Sequence, residues 1–354
     1  MRPRFPFPAA DVTLPGVPAP VLTSISQRLL PVLQLTRMAL VFTAIADSTC
    51  GLLLRAARQR AFNHNRLIEN VDIYQLAAIA TISVGLYGYG MSLNDIIDRR
   101  RDSQIASHRP LPSGRIGVVT AHVICALLAL GALCGAAYFV YSGAANAWAT
   151  LVLVIATGLL ITFYDSAGKY LVAPGLISLG LIRFFHAIIP APEMPLLWHP
   201  LLLLNHVTIL STVAYLWEQK RPALTKLHWW TVLGMLAFID AVAVGLTAWR
   251  RPFTFWIQPG LLLPAGAVLL FLVVALIVRK RMGLRREAGQ TLMLYGLLWL
   301  IVYDAAFVAG YVNWIAAALL IMLMPVAYLS VQLMRWWSTL VVASRRPDYK
   351  RAGA

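Results

Sequence analysis

The stretch from Asn94 to Asp102 reads Asn-Asp-Ile-Ile-Asp-Arg-Arg-Arg-Asp and gathers three of the chain's 14 acidic residues within eight positions. Asn94, Asp98 and Asp102 recur at i, i+4 and i+8, so a helix carries all three side chains on one face. Stacked oxygen donors of this kind suit Mg²⁺, a hard ion that takes a few carboxylates, phosphate oxygens and retained waters. The interleaved Arg99, Arg100 and Arg101, with Arg109 beyond them, offer positive charge to phosphate oxygens. A solvated helix end whose aspartates and arginines pair with one another would show the same residue types. The regular spacing, placed where a long apolar run meets a basic loop, favours a metal–diphosphate site over a plain charge cluster.

The elements that must position these groups are apolar and long. Hydrophobic residues make up 60% of the 354 residues and charged ones 12%, against about 45–50% and 25% in a soluble domain. This composition excludes a cytosolic enzyme, a disordered chain and a disulfide-stapled secreted module. Ten stretches approach the roughly 20 apolar residues that cross a bilayer, near 31–54, 72–93, 117–141, 145–164, 171–190, 199–218, 229–248, 260–279, 289–311 and 313–335. They show no apolar–polar alternation, which excludes a membrane β-barrel. The expectation is an all-α polytopic membrane protein, a bundle of nine or ten transmembrane helices over residues 26–338. A Pro-rich flexible tail (1–25) precedes it and a basic tail (339–354) follows. Cys50, Cys125 and Cys134 fit no metal spacing and imply no cofactor.

Thirty Lys and Arg against 14 Asp and Glu give a formal charge of +16. The basic residues fall in loops after the second stretch (Arg99, Arg100, Arg101, Arg109, Arg115), the sixth (Lys220, Arg221, Lys226) and the eighth (Arg279, Lys280, Arg281, Arg285, Arg286). The loops after the third, fifth and ninth carry none. The positive-inside rule then puts both termini and the Asn94–Asp102 motif on the cytoplasmic side of an inner membrane. Charge dispersed over several loops in this way needs no nucleic acid to explain it. Arg55, Arg58, Arg60 and Arg66, after the first stretch, fall on the nominally outer side and dissent. A weak echo links His108-Arg109-Pro110-Leu111 with Lys220-Arg221-Pro222-Ala223-Leu224, four stretches later on the same side.

Asn94-Asp95-x-x-Asp98-x-x-x-Asp102, followed by Arg109-Pro110-Leu111-Pro112-Ser113-Gly114, resembles the first aspartate-rich motif of the UbiA superfamily of intramembrane prenyltransferases. Leu35-Thr36-Arg37, Thr43, Asp47, Tyr164-Asp165 and Lys169 resemble its EboC-like branch. The resemblance implies a UbiA-type helical bundle, usually of nine helices, lying in the lipid bilayer. It implies that Asn94, Asp98 and Asp102 hold Mg²⁺ on the diphosphate of a polyprenyl donor, with Arg37, Arg109 and Lys169 on the diphosphate oxygens. Metal and cations would stabilise the departing diphosphate, and a small lipophilic, electron-rich acceptor would capture the allylic carbocation.

The chain departs from that pattern after the sixth stretch, where Tyr215-Leu-Trp-Glu218-Gln-Lys220-Arg221 offers one acid, Glu218, in place of two or three. Lys220 and Arg221 could there substitute for a second ion on the diphosphate. Asp165, four residues before Lys169, could join Glu218 as a ligand or pair with Lys169. Charges inside apolar spans invite functional readings. Arg183 and His186, at i and i+3, could meet donor or acceptor, or Arg183 could pair with an intramembrane acid. Asp47 is a further pocket candidate, whereas Asp240 and Asp304 read as packing groups. The depleted acidic motif leaves a second class open, a non-catalytic carrier or exporter of an isoprenoid product.

Overall fold

A computed structural model describes residues 29–58, 71–107, 109–142, 146–193, 197–250 and 258–343. Most of the two tails, Arg60, Arg66 and His108 lie outside the described residues. Every described regular element is helical: α1 (Val41–Arg58), α2 (Ile73–Ile97), α3 (Arg99–Ile105), α4 (Val118–Tyr141), α5 (Ala147–Ser166), α6 (Val172–Ile188), α7 (Trp198–Trp217), α8 (Lys226–Arg250), α9 (Leu262–Met282), α10 (Arg286–Tyr311), α11 (Trp314–Ile321) and α12 (Leu323–Ala343), with three 3₁₀ turns. Among the described residues nine helical segments are long and apolar enough to cross a membrane, and α6, at 17 residues, is a shorter apolar helix. The ten expected stretches are thus all present, nine at full length. The chain reads as a multi-pass membrane protein.

Leucines on the outer surface of α4 and α9, such as Leu127, Leu130, Leu269 and Leu272, are exposed, as a lipid-facing surface requires, since the bilayer is as apolar as they are. The inside is held by small residues and side-chain hydrogen bonds. A Cβ added at Gly85 of α2 would stand 2.6 Å from the Leu128 carbonyl oxygen of α4, so these two helices meet nearly backbone to backbone. Ser48 and Ser83 share a 2.7 Å hydrogen bond between α1 and α2, and Tyr89 and Thr162 one of 2.7 Å between α2 and α5.

Deeper acids meet polar side chains on neighbouring helices. Asp304 of α10 lies 2.6 Å from His199 of α7, and Asp240 of α8 accepts from Asn205 of α7 at 2.9 Å. Both act as helix-to-helix ties, the packing role expected for them. Helix α1 is central: Cys50 and Leu53 pack with Leu298, Phe307 and Ala327, from α10 and α12, and Leu52 packs with Ile79, Ile82 and Ile189.

The two ends of α1 orient the bundle. At its start Arg37 pairs with Asp95, near the end of α2. At its finish the Arg55 Nε lies 2.9 Å from Glu193 Oε1, in the loop after α6, and Arg55 also donates to the Pro190 carbonyl at 3.0 Å. Arg55 therefore belongs to the end of the bundle opposite the Asn94–Asp102 motif. Its departure from the charge rule has a local cause, the acid and carbonyl that receive it.

Candidate functional site

Helix α2 begins cleanly because Asp72 caps it, accepting from the Tyr74 amide at 2.8 Å. Its far end is a bend rather than a stop. Asp98 leaves helical dihedrals only in ψ, near −1°. The ladder runs on through it, from the Asp98 amide to the Asn94 carbonyl at 2.9 Å and from the Asp102 amide to the Asp98 carbonyl at 2.8 Å. The motif therefore keeps its helical register across α2 and α3.

Two groups of cations divide the motif's side chains. Lys169, in the 3₁₀ turn Gly168–Tyr170 between α5 and α6, lies 2.8 Å from Asp98 Oδ1 and donates to Asn94 Oδ1 at 3.3 Å. That turn is tight, with Gly175 of α6 seated against the Gly168 carbonyl, where no Cβ would fit. Lys169 thus reaches across to Asn94 and Asp98, and among the described residues Asp165 does not pair with it. On the other side, Arg109 lies 2.6 Å from Asp102 Oδ2 and 3.7 Å from Asp95 Oδ1. Arg37 donates to the same Asp95 oxygen at 3.2 Å. Asp95 and Asp102 are both buried, at 4% exposure each, although they sit at the end of the bundle.

Arg37 reaches this place through an unusual backbone. The helical turn 29–35 breaks at Thr36–Arg37, and Arg37 holds φ 46°, ψ 38°, the left-handed region that a long side chain seldom adopts. Such outliers persist where the surroundings over-determine them, and here the Arg37 guanidinium is held by Asp95. A hollow of about 230 Å³ lies beside it, lined by Gln34, Arg37, Asp95, Arg109 and Arg115. Arg115 donates to Gln34 Oε1 at 2.9 Å. Arg115, counted in the sequence only as a basic loop residue, is the third arginine of this hollow, and its position just after the Arg109–Gly114 run was the available signal.

A larger cavity of about 410 Å³ opens between Arg37 and Asn94 and runs inward among α1, α2, α5, α6, α7 and α10. Tyr164 and Asp165, at the end of α5, line it near the motif, and Asp165 is 2% exposed. Its middle is apolar, with Met91, Ile161, Ile182, Val207, Met293 and Leu297. Thr43, Arg183 and His186 line its inner part. Arg183 is 2.5 Å from Asp47 Oδ2 and donates to Thr43 Oγ1 at 3.0 Å. Asp47, fully buried, stands behind Arg183 and is not on the cavity wall. Arg183 thus both lines the cavity and pairs with an intramembrane acid.

Helix α7 ends at Trp217, with Gln219 in the left-handed conformation just beyond. Glu218 Oε2 lies 3.2 Å from Lys220 Nζ, and the side chain packs over Gly289 of α10. Neither Glu218 nor Arg221 lines the large cavity, although Ser211, two turns back along α7, does. Glu218 is thus tied to Lys220 at the end of α7. Among the described residues, the one set of three His, Cys, Asp or Glu donor atoms within 4.8 Å of one another is Cys50, His199 and Asp304, deep in the bundle.

Fold and site together describe a polytopic membrane protein with an amphipathic cavity, whose mouth carries carboxylates, a carboxamide and fixed cations. Residues 66–191 match the family model of the UbiA prenyltransferase family. The chain shares its fold with a digeranylgeranylglyceryl phosphate synthase structure (TM-score 0.57, 19% identity, covering 80% of this chain and 99% of that one). It also shares it with a UbiA homolog from Archaeoglobus fulgidus (TM-score 0.52, 11% identity, covering 79% of this chain and 99% of that one). No curated protein matches the chain by sequence.

Proposed function

We propose that the protein is a Mg²⁺-dependent prenyltransferase, moving a polyprenyl group from its diphosphate to a small lipophilic acceptor at the cytoplasmic face of the inner membrane. The observation that carries this reading is the mouth of the cavity, lined by Arg37 and Asn94 over an apolar shaft, with Asp98 and Lys169 paired beside Asn94. The matched family segment, residues 66–191, contains the motif and Lys169 and supports it. The EboC-like residues Arg37, Thr43, Asp165 and Lys169 all gather at or beside the same cavity, which suits placement in that branch.

The donor set fits the ion. Asn94 Oδ1 and Asp98 Oδ1 already converge on one cation, the Lys169 ammonium, and both are the hard oxygens Mg²⁺ takes. Asp102, one turn on, is held by Arg109 and would join the set only by leaving that partner. When bound, the ion would neutralise charge developing on the departing diphosphate. Lys169, Arg37 and Arg109 hold the diphosphate oxygens through charge-assisted hydrogen bonds and stabilise the same charge. Arg221 and Lys220, at the end of α7, supply further positive charge where Glu218 stands alone. The apolar shaft holds the hydrocarbon and limits water at the carbon left electron-poor, whose capture by the acceptor completes transfer.

Purified protein with labelled farnesyl or geranylgeranyl diphosphate and Mg²⁺ releases diphosphate in the presence of an acceptor, and Asp98→Ala abolishes release. No release with any acceptor, together with unchanged prenyl diphosphate binding in Asp98→Ala, overturns the assignment. One observation favours a carrier instead: Glu218, the single acid after α7, is closed off by Lys220. Vesicle flux of a prenylated product without diphosphate release would select that reading.

A further inference from the structure

Among the described residues, Asp165 is the one carboxylate on the wall of the large cavity. It is 2% exposed, yet no cation or hydrogen-bond donor of the described residues holds it. Both its oxygens keep access to the cavity, unlike the nitrogens of His186, which are sealed. The cations that act on it are committed elsewhere, Lys169 to Asp98 and Asn94, and Arg37 to Asp95. A buried carboxylate left unmatched is costly, so this one calls for a donor from a bound molecule. Its depth follows from the register of α2 and α5, which both run toward the motif. Tyr89 and Thr162 share a 2.7 Å hydrogen bond, and a Cβ at Gly90 would stand 3.0 Å from Ile161 Cγ2. One turn on from that pair, about 6 Å at 1.5 Å per residue, the two helices bring Asn94 and Asp165 to the same level.

We infer that Asp165 is the base of the transfer step and that the acceptor presents a hydroxyl to it at the cavity mouth. The inference rests on the prenyl-transfer reading for the identity of the ligands. With the donor's diphosphate at Asn94 and Arg37 and its hydrocarbon in the shaft, the reacting carbon lies where the two join, at the level of Asp165. A neutral hydroxyl donates to the carboxylate and keeps a lone pair for that carbon, whereas an ammonium would donate with no lone pair to offer. In the step, the bond from the allylic carbon to the diphosphate oxygen breaks, and its electron pair leaves with the diphosphate. A lone pair of the acceptor oxygen forms the new carbon–oxygen bond, and the hydroxyl proton passes to Asp165. Glu218 cannot take this part, being tied to Lys220 away from the cavity wall. The hydroxyl alone has to reach the mouth, so the acceptor's body does not compete with the donor's hydrocarbon for the shaft.

Two probe acceptors test this: 2-naphthol, and 2-methoxynaphthalene, in which a methyl replaces the hydroxyl proton. Purified full-length protein is given geranylgeranyl diphosphate and Mg²⁺ with either one, and prenylated product is measured by mass. The wild type is expected to use 2-naphthol and to leave the methyl ether nearly untouched, a preference that needs no variant to read. Asp165→Asn, which keeps the shape but cannot take the proton, is expected to lower kcat with 2-naphthol about a hundredfold, as loss of a positioned base does. The KM for the diphosphate and the half-saturating Mg²⁺ are expected to stay close to wild type, and Asp165→Glu to recover part of the lost rate. Equal use of the two probes, no product from 2-naphthol while another acceptor is used, or wild-type kcat in Asp165→Asn overturns the inference and leaves transfer in place. A raised Mg²⁺ requirement in Asp165→Asn makes the carboxylate a metal ligand and overturns it equally. No diphosphate release with any acceptor overturns the transfer reading and this inference with it.

Discussion

Four oxygen-bearing side chains share the motif, but they do not share one job. A helix turns once per 3.6 residues, so each i, i+4 step drifts by about 40°. Asn94 and Asp98 stay together facing Lys169, while Asp102 drifts round to join Asp95 beneath Arg109. The spacing in the sequence showed a common face, and it did not show that the face is split between cations contributed by a distant turn and a following loop. Two outcomes separate the halves. Lys169→Met, which removes a charge-assisted contact worth about 1.5–3 kcal/mol, is expected to raise the KM for prenyl diphosphate roughly ten- to hundredfold with little change in thermal stability. Asp95→Leu leaves Arg37 without its carboxylate while Arg109 keeps Asp102, and losing a buried hydrogen-bonded partner costs about 1–3 kcal/mol. Its expected signature is a lowered melting temperature of the detergent-solubilised protein before any ligand is added, so an unchanged melting temperature refutes the structural role given to Asp95.

Helices were the most legible level, because runs of about 20 apolar residues in a chain with few charges admit little else. Their mutual packing was not legible. Composition gives no sign that Gly85 meets the Leu128 carbonyl while Gly131, on the partner helix α4, meets nothing within 4 Å. Both are glycines in similar apolar surroundings, and only the pairing of α2 with α4 distinguishes them. Gly85→Leu is therefore expected to force α2 away from α4 and yield aggregated protein on size exclusion. Gly131→Leu is expected to elute as the wild type does and to retain ligand binding. The site depends on this contact, since α2 carries Tyr87, Met91 and Asn94 along the cavity wall. Equal behaviour of the two variants would refute the close α2–α4 approach. Lys169 shows the same limit: its residue type and loop were readable, whereas its reach to Asn94 and Asp98 depends on the tight turn closed by Gly175.

At the scale of the whole molecule, the basic loops and the ion pairs give independent accounts of which end of the bundle is which. Charge counting puts the motif loop inside and leaves Arg55, Arg58, Arg60 and Arg66 as exceptions. The structure puts Arg55 at the end away from the motif, where Glu193 and the Pro190 carbonyl receive it. The rule counts Lys and Arg loop by loop, and the basic residues of the remaining loops outnumber these exceptions. The orientation then follows as a measurable asymmetry. In a cysteine-free background, Arg101→Cys, on exposed α3, is expected to react with a membrane-impermeant maleimide in inverted vesicles and not in right-side-out cells. Ser142→Cys, exposed at the end of α4, is expected to show the opposite pattern. Reversed labelling would put the Asn94–Asp102 motif on the outer face and overturn the proposed cytoplasmic site. Labelling of both positions from one side would refute the odd number of crossings between them, and with it the passage of α4 through the membrane.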